Sequence, residues 1–166
     1  MPPRAKQTAQ SLSASQLQFI EDVAALMIPW GSPPAVSRLY GYLLMSAEPV
    51  GLDRIAADLE ISKSSACNAA RQLENHKLAR RHSERGSKRV FYSGTNRFAV
   101  VLLGQSAALG ELGKLLQTRA STVGSGSALK RMKDTAEFCL SMREAIDTAI
   151  EKLSAARVRS IREREK

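Results

Sequence analysis

Apolar residues recur every three or four positions along much of this chain, which is the spacing of a helix with one buried face. The first such run begins near residue 15 and is ended by Pro29 and Gly31. The next lies in GSPPAVSRLYGYLL, where Ser32 is a suitable N-cap and the prolines fall in the first turn. Its predicted buried stripe consists of Val36, Leu39, Tyr40, Leu43 and Leu44. Two helices are therefore predicted before a turn at residues 48–52.

A short helix and a longer one are predicted between residues 53 and 76. The short helix, DRIAADLEI, would bury Ile55, Ala56 and Leu59. Ser62 is the expected N-cap of the longer helix. The predicted inner face of this longer helix is Ala66, Ala69, Ala70 and Leu73. Since Ala occupies three of these positions, another helix can approach closely. The outer face is short and polar: Lys63, Ser64, Ser65, Cys67, Asn68 and Arg71.

A basic hairpin and two long helices follow. Two β-like segments, at residues 78–83 and 89–93, are joined by ERGSK, in which Gly86 can supply the positive φ that a tight loop requires. Thr95 is the expected cap of the next helix, and STVGSGSA is a flexible break before a last helix that starts near residue 129. The apolar positions of the first long helix are Phe98, Val101, Leu102, Leu109, Leu112, Leu115 and Leu116. Those of the last helix form a near-heptad seam: Leu129, Met132, Ala136, Cys139, Ile146, Ile150 and Leu153.

This order of elements is typical of a helix-turn-helix followed by a β-hairpin wing. The predicted fold is therefore mostly α with a small β-hairpin wing, a winged helix-turn-helix flanked by N- and C-terminal dimerisation helices. We expect a mobile arm at 1–14, a helix joining the dimer interface at 15–29, a DNA-binding domain at 30–94, two dimerisation helices at 95–162 and a frayed end at 163–166. A homodimer is expected because the long apolar seam exceeds what so small a domain can bury. The alternative is that the seam folds back on the first and fifth helices.

The charge distribution sharpens this interpretation. The net formal charge is +9, and residues 62–93 contain eight basic residues against only Glu74 and Glu84. A solvated helix or an ordinary β-turn would explain either element alone, but not this local excess. A basic block beside a helix with small polar side chains indicates binding to a phosphate backbone, and the small side chains leave room to approach base edges.

Other chemistries find little support in the sequence. The two cysteines are far apart, and neither they nor His76 and His82 have metal-ligand spacing. Motifs of nucleophilic serines and of phosphate-binding glycine loops are missing, so we expect no enzyme, metal or cofactor. The N-terminal stretch has no apolar segment of a secretory signal, and the longest apolar run, FAVVLL, is too short for a membrane span. A cytoplasmic protein without a membrane partner is therefore expected. Cys67 is either a redox-sensitive thiol or a small residue at a Ser-like position, and Cys139 is expected in the core.

The stretch WGSPPAVSRLYGYLL…PVGLDRIAADLEISKSSACNAARQLENHKLARR…GSKRVFYS resembles the MarR/GbsR-type bacterial winged-helix transcriptional regulators. GSPPAVSRLYGYLL is similar to the GbsR-like subgroup, and LDRIAADLEISKSSA is similar to the general helix-turn-helix signature. The resemblance covers about residues 30–93. It implies an obligate homodimer, held by its N- and C-terminal helices, that binds palindromic operators in double-stranded DNA. One departure is Lys77, where these regulators usually carry Gly; in a left-handed conformation a side chain there costs about 1 kcal/mol.

The resemblance also assigns roles to individual residues. The predicted base-edge contacts are Ser64, Ser65 and Asn68, with Cys67 beside them. The predicted contacts to phosphates or guanine edges are Lys63 and Arg71. The predicted wing contacts, to the backbone or the minor groove, are Arg85, Lys88 and Arg89. Arg38 either touches a phosphate or forms a salt bridge with a nearby acid. Members of the family often bind a small effector, for which the candidate pocket is Phe19, Met27, Trp30, Tyr40 and Tyr42.

We therefore predict a homodimeric, sequence-specific regulator of transcription. A repressor is favoured over an activator because repression requires only occupancy of a promoter, and no acidic or polymerase-contacting segment stands out. The alternative is an architectural or interaction protein with the same fold, which coats DNA with little sequence preference or docks onto another protein.

Overall fold

The structure, a computed structural model, describes residues 12–83 and 89–164, with side chains as far as residue 155. The chain divides into two compact units, residues 1–97 and residues 98–166. Much of the predicted N-terminal arm, the tip of the predicted wing with Gly86, Arg85 and Lys88, and the last two residues lie outside the described residues.

The first unit is a helical layer with a small sheet at its side. Its helices are α1 (Ala14–Met27), a 3₁₀ turn (Ile28–Trp30), α2 (Pro34–Met45), α3 (Leu52–Asp58) and α4 (Lys63–Asn75). Helix α2 is central, because it packs against both α1 and α4, and α3 packs against α4. The largest fully buried side chains of the unit are Ile20, Leu39, Leu43, Ile55, Leu59 and Leu73. The predicted sequence of helices is therefore present, with a short α3 leading into α4.

Two details of α2 differ from the prediction. Ser32 is not the N-cap; Pro33 occupies that position with an extended backbone, and the Ser32 hydroxyl accepts a hydrogen bond from Ser37 instead. The reason is that a residue before proline is excluded from the helical region, so the helix cannot begin before Pro34. Leu44 is 45% exposed, whereas Tyr42 is buried.

The sheet has three antiparallel strands in the order β1-β3-β2, where β1 is Val50–Gly51, β2 is Ala79–Ser83 and β3 is Val90–Gly94. The two predicted strands are present, and Arg81 is paired with Tyr92 in their register. Residues 48–52 were predicted to form only a turn, but Val50 and Gly51 form strand β1, which pairs with β3. A strand of two residues shows no alternation of apolar and polar positions, so the sequence carried no signal for it.

The second unit is a pair of long helices, α5 (Phe98–Val123) and α6 (Gly126–Arg164), packed on each other. The break falls at residues 124–125, inside the predicted STVGSGSA segment, but α6 starts at Gly126 rather than near residue 129. Thr95 lies three residues before α5 and its hydroxyl donates to the carbonyl oxygen of Lys77. Ala136 and Cys139 of the predicted seam are buried, whereas Leu153 is 71% exposed. The hydrogen bond between Ser106 and Asp147 shows how α5 and α6 are aligned. In this alignment Leu153 lies opposite the first turn of α5, where the contact between the two helices ends.

Overall, the chain is mostly helical with a small antiparallel sheet, which confirms the coarse fold prediction.

Candidate nucleic-acid interface

The amino terminus of α4 is organised by a serine cluster, defined here as Ser62, Ser64 and Ser65. Ser62 is the N-cap, as predicted, and its hydroxyl accepts from the backbone N–H of Ser65 at 3.1 Å. The same hydroxyl lies 2.9 Å from the Ser64 hydroxyl and 2.8 Å from the Ser65 hydroxyl. Ser65 is half-buried and Ser64 is exposed. Of the two, Ser64 is therefore better placed to meet an outside partner.

The body of α4 has two faces of different character. Its predicted inner face is confirmed, since Ala66, Ala69, Ala70 and Leu73 are all buried. Lys63, Asn68 and Arg71 are exposed, and Cys67 is half-buried. The alanines let α2 and α3 approach the α4 backbone, so the helix is anchored without using its polar side chains. The outer face is therefore available for hydrogen bonds to a ligand.

Both α3 and α4 end in a Schellman motif, with a non-glycine residue in the left-handed conformation. At the end of α4, the N–H of Leu78 donates to the carbonyl of Leu73 at 2.8 Å, and Lys77 has a φ of 62°. At the end of α3, the N–H of Ile61 donates to the carbonyl of Ala56 at 3.0 Å, and Glu60 has a φ of 53°. Lys77 thus holds the conformation for which glycine is usual. These motifs fix the turn between α3 and α4 and the point where β2 begins.

A buried hydrogen-bond network fixes α3 on α2. The Tyr42 hydroxyl donates to Oδ2 of Asp58 at 2.6 Å, and Nε of Arg54 donates to the same oxygen at 3.1 Å. Burial, reinforced by the Asp58 carboxylate, raises the pKa of Tyr42 well above its usual value. The phenol therefore stays protonated and keeps its role as donor. The hydrogen bond from Tyr42 thus links α2 to the end of α3.

Arg38 forms an ion pair, which was one of the two predicted alternatives. Its Nε donates to Oε1 of Glu21 at 2.7 Å, and its Nη1 donates to the carbonyl of Leu59 at 2.9 Å. The side chain thus ties α1 to α2 and to the end of α3. This arrangement occupies the guanidinium within the first unit.

A groove lined by cationic side chains lies where α3 begins, between β1, β3 and the start of α4. It has a volume of about 410 Å³, and its charged lining residues are Asp53, Arg54, Lys63 and Arg89. Arg89 is exposed and directly precedes β3. Arg85 and Lys88, the other predicted wing contacts, lie outside the described residues. The structure thus brings Lys63 and Arg89 to one groove.

A second basic cluster was missed at the sequence level. Lys77, Arg80, Arg81 and Arg97 line a cavity of about 220 Å³ together with Glu74. Arg81 is paired across the sheet with the buried Tyr92, so it points toward the side of the sheet on which the helices pack. Burial raises the pKa of Tyr92, and the nearby Glu74 carboxylate adds to the effect. The count of basic residues was visible in the sequence, but the cavity that these four side chains line was not.

The five residues of the predicted effector pocket do not share one environment. Tyr40 and Tyr42 are buried in the core, and burial raises the pKa of Tyr40. Met27 is half-buried, whereas Phe19 is 42% and Trp30 is 69% exposed. These five side chains therefore do not form one pocket in the single chain. The binding of an effector stays a prediction.

The part of the chain that the structure describes contains potential metal ligands and both cysteines. No group of three His, Cys, Asp or Glu side chains within it is arranged to hold a metal ion. Cys67 and Cys139 are both free thiols, the first half-buried and the second buried.

Helix α5 presents an apolar outer surface. The buried residues of α5 are small: Ser106, Gly110, Gly113 and Ala120. Its exposed large apolar residues are Val100, Leu103, Leu112, Leu115 and Val123. By length and composition α5 also meets the requirement for a membrane span, with a mean hydropathy of 1.3 over 18 residues, of which 17% are buried. One helix of this kind is weak evidence for a membrane span, and an exposed apolar surface is also typical of a protein interface.

Comparison with known proteins gives a likeness in structure. No family model and no curated protein sequence matches the chain. The crystal structure of a transcriptional regulator has a similar fold, with a TM-score of 0.71 and 20% sequence identity. The match covers 85% of this chain and 99% of that chain. At this identity the likeness establishes a shared fold, and the resemblance to MarR/GbsR regulators stays a prediction.

Proposed function

We propose that this protein is a homodimeric, sequence-specific double-stranded DNA-binding regulator of transcription. The observation that carries the proposal is the construction of α4, which is anchored by a buried alanine face and exposes small polar and cationic side chains. In a winged helix-turn-helix, such a helix enters the major groove, where Ser and Asn side chains hydrogen-bond to base edges. The arrangement of α3, α4 and the antiparallel strands supports that architecture.

Charge and fold point in the same direction. Four of the eight basic residues in 62–93 lie on α4 and β2, and Arg89 directly precedes β3. Helix α4 contacts β2, and β2 pairs with β3 in the first unit. Phosphate contacts from such residues position a protein on DNA, while the contacts of α4 would supply sequence preference. The similarity to the fold of a transcriptional regulator adds support at the level of fold.

The homodimer is supported by surfaces that a single chain leaves exposed. Helix α5 has five exposed large apolar residues, and α6, whose side chains are described as far as residue 155, adds three: Phe138, Met142 and Leu153. Exposed apolar side chains in such number are typical of an interface. A two-fold dimer would present two copies of α4 to a palindromic operator, with half-sites about 34 Å apart. We further propose a cytoplasmic repressor related to the MarR/GbsR group.

The decisive experiment is selection of bound duplexes from a random-sequence pool by the purified protein at physiological salt. An enriched inverted repeat, with half-sites about one helical turn apart, is the expected result. Tight binding with a steep salt dependence and no enriched motif would contradict sequence-specific recognition. Absence of binding at low salt would contradict the DNA-binding proposal altogether.

An architectural DNA-coating protein is the second candidate, favoured by the density of cationic residues around the sheet. Two sets of substitutions distinguish the sequence-specific regulator from the architectural protein. Replacing Ser64 and Asn68 by Ala should relax the selected motif, at about 1–3 kcal/mol per lost base contact. Replacing Arg89 by Gln should instead weaken binding to all sequences and lower the salt slope. If the Ser64 and Asn68 variants keep full affinity and preference while only the Arg89 variant changes, the architectural candidate is the correct one.

A further inference from the structure

An ion pair joins the beginnings of α3 and α4 at the surface of the first unit. Oδ1 of Asp53, in the first turn of α3, lies 2.6 Å from Nζ of Lys63, the first residue of α4. The two side chains are 81% and 67% exposed, respectively. Both face solvent, so the ammonium can exchange its partner without rearrangement of the core.

The position of this pair is where a DNA backbone would pass. Both residues line the groove of about 410 Å³, together with Arg54 and Arg89. When a recognition helix enters a major groove, the residues at its amino terminus lie next to the phosphates at the edge of that groove. The Lys63 ammonium in this groove suits a phosphate, whereas the Asp53 carboxylate repels it.

We infer that Asp53 competes with DNA phosphate for the ammonium group of Lys63 and thereby limits the affinity of the protein for DNA. This inference rests on the proposed function. In the free protein Lys63 donates to Asp53; in the complex it donates to a phosphate oxygen, and the carboxylate is left without its partner beside the backbone. Binding then breaks the ion pair between Asp53 and Lys63 and forms the contact between Lys63 and the phosphate in its place. The ligand is the sugar–phosphate backbone of double-stranded DNA, independent of its sequence.

The test is Asp53→Asn, measured by fluorescence anisotropy with a labelled duplex of about 30 base pairs of arbitrary sequence, between about 50 and 200 mM salt. The variant should bind about 2- to 5-fold more tightly at the lowest salt, which is the range for an exposed ion pair. The gain should shrink as salt rises, because the slope of log K against log salt becomes steeper by up to about 0.9. Since the expected change is a gain of affinity, loss of folding cannot imitate it.

Asp134→Asn is the matched control. Asp134 is an exposed aspartate on α6, in the second unit, so its replacement changes the net charge equally without touching Lys63. A second comparison uses Lys63→Met, alone and combined with Asp53→Asn. In the Lys63→Met background, Asp53→Asn should have no more effect than Asp134→Asn has.

Three results would overturn the inference. The first is an Asp53→Asn variant that binds as the Asp134→Asn control does, or more weakly than the wild type. The second is a gain of affinity that persists in full when Lys63 is Met. In both cases the wild type still binds DNA, so the proposed function survives. The third is a wild-type protein that does not bind DNA at any salt concentration, which overturns both proposals together.

Discussion

Helices α4 and α5 bury the same kind of side chain and expose opposite kinds. The inner faces are dominated by small residues: Ala66, Ala69 and Ala70 in α4, and Ser106, Gly110, Gly113 and Ala120 in α5. The outer face of α4 is polar and cationic, whereas that of α5 is rich in leucine. Small inner residues allow close approach of the backbones, so neither helix depends on its outer side chains for anchoring. The comparison teaches that each outer face is free to match a partner, one polar and one apolar.

The contact between α5 and α6 shows how close this approach is. A Cβ added at Gly113 would lie 2.8 Å from Cγ of Leu140, and one added at Gly110 would lie 2.6 Å from Cδ of Arg143. Ser106 adds a hydrogen bond, since its hydroxyl donates to Oδ1 of Asp147 at 2.6 Å. The inner face of α5 is therefore used within the chain, which leaves the exposed Leu103, Leu112 and Leu115 for a contact outside it.

The largest effect is expected from a charge on the apolar outer face of α5. The double substitution Leu112→Lys and Leu115→Lys should raise the dissociation constant of the dimer at least about 100-fold, because each Leu burial contributes about 1.5–3 kcal/mol and a buried ammonium costs more. Sedimentation over a range of protein concentrations measures this change. Gln117→Lys, at an exposed polar position of the same helix, is the control and should leave the dimer intact. If the double variant remains dimeric, the apolar outer face of α5 is not the dimer interface.

A smaller but still clear effect is expected from filling the inner face. Gly113→Val should lower the free energy of unfolding by about 1–3 kcal/mol, because the added atoms overlap with Leu140. Urea unfolding at a fixed protein concentration measures it. Gly104→Val is the matched control, since nothing lies within 4 Å of a Cβ at Gly104 in the chain. Equal losses at the two glycines would show that close packing is not what distinguishes the inner face.

The smallest effect concerns residues with positive φ beside helix ends. Gly126, the first residue of α6, has a φ of 54°, whereas Lys77, which follows the C-cap of α4, has a φ of 62° and carries a side chain. Lys77→Gly should therefore raise the free energy of unfolding by about 0.5–1 kcal/mol. Lys77→Ala removes the charge but keeps the side-chain strain, so it should show no such gain. If the two variants have the same stability in thermal unfolding, the left-handed residue is not a source of strain.

Periodicity was enough to predict α1, α2, α4 and the hairpin strands, because each buries several residues at a regular spacing. Periodicity was not enough at positions whose burial or capping depends on a contact with another part of the chain or on a neighbouring proline. Tyr42, outside the predicted stripe, is buried and donates a hydrogen bond to Asp58, whereas Leu44 of the predicted stripe is exposed. The cap of α2 was misplaced because the constraint of Pro34 on Pro33 is stronger than the capping preference of Ser32.

The features of the candidate site likewise fall into those that the sequence predicted and those that it did not. The polar face of α4 and its cap were visible, since both follow from helical spacing and residue type. The Lys63–Asp53 pair and the gathering of Arg80, Arg81 and Arg97 were not, because they depend on the turn between α3 and α4 and on strand register. Arg38 left two alternatives open in the sequence, and the approach of α1 to α2 settled which partner it has in the free chain.

The serine cap and alanine face of α4 also bear on how such proteins diverge. Substitutions at exposed positions that make no anchoring contact usually change stability by less than about 0.5 kcal/mol. Mutations at residues 64, 68 and 71 can therefore change the polar face of α4 while its buried face keeps the fold. Descendants would then keep the scaffold while losing recognisable sequence. A TM-score of 0.71 at 20% identity shows a fold that is shared although most of the sequence differs.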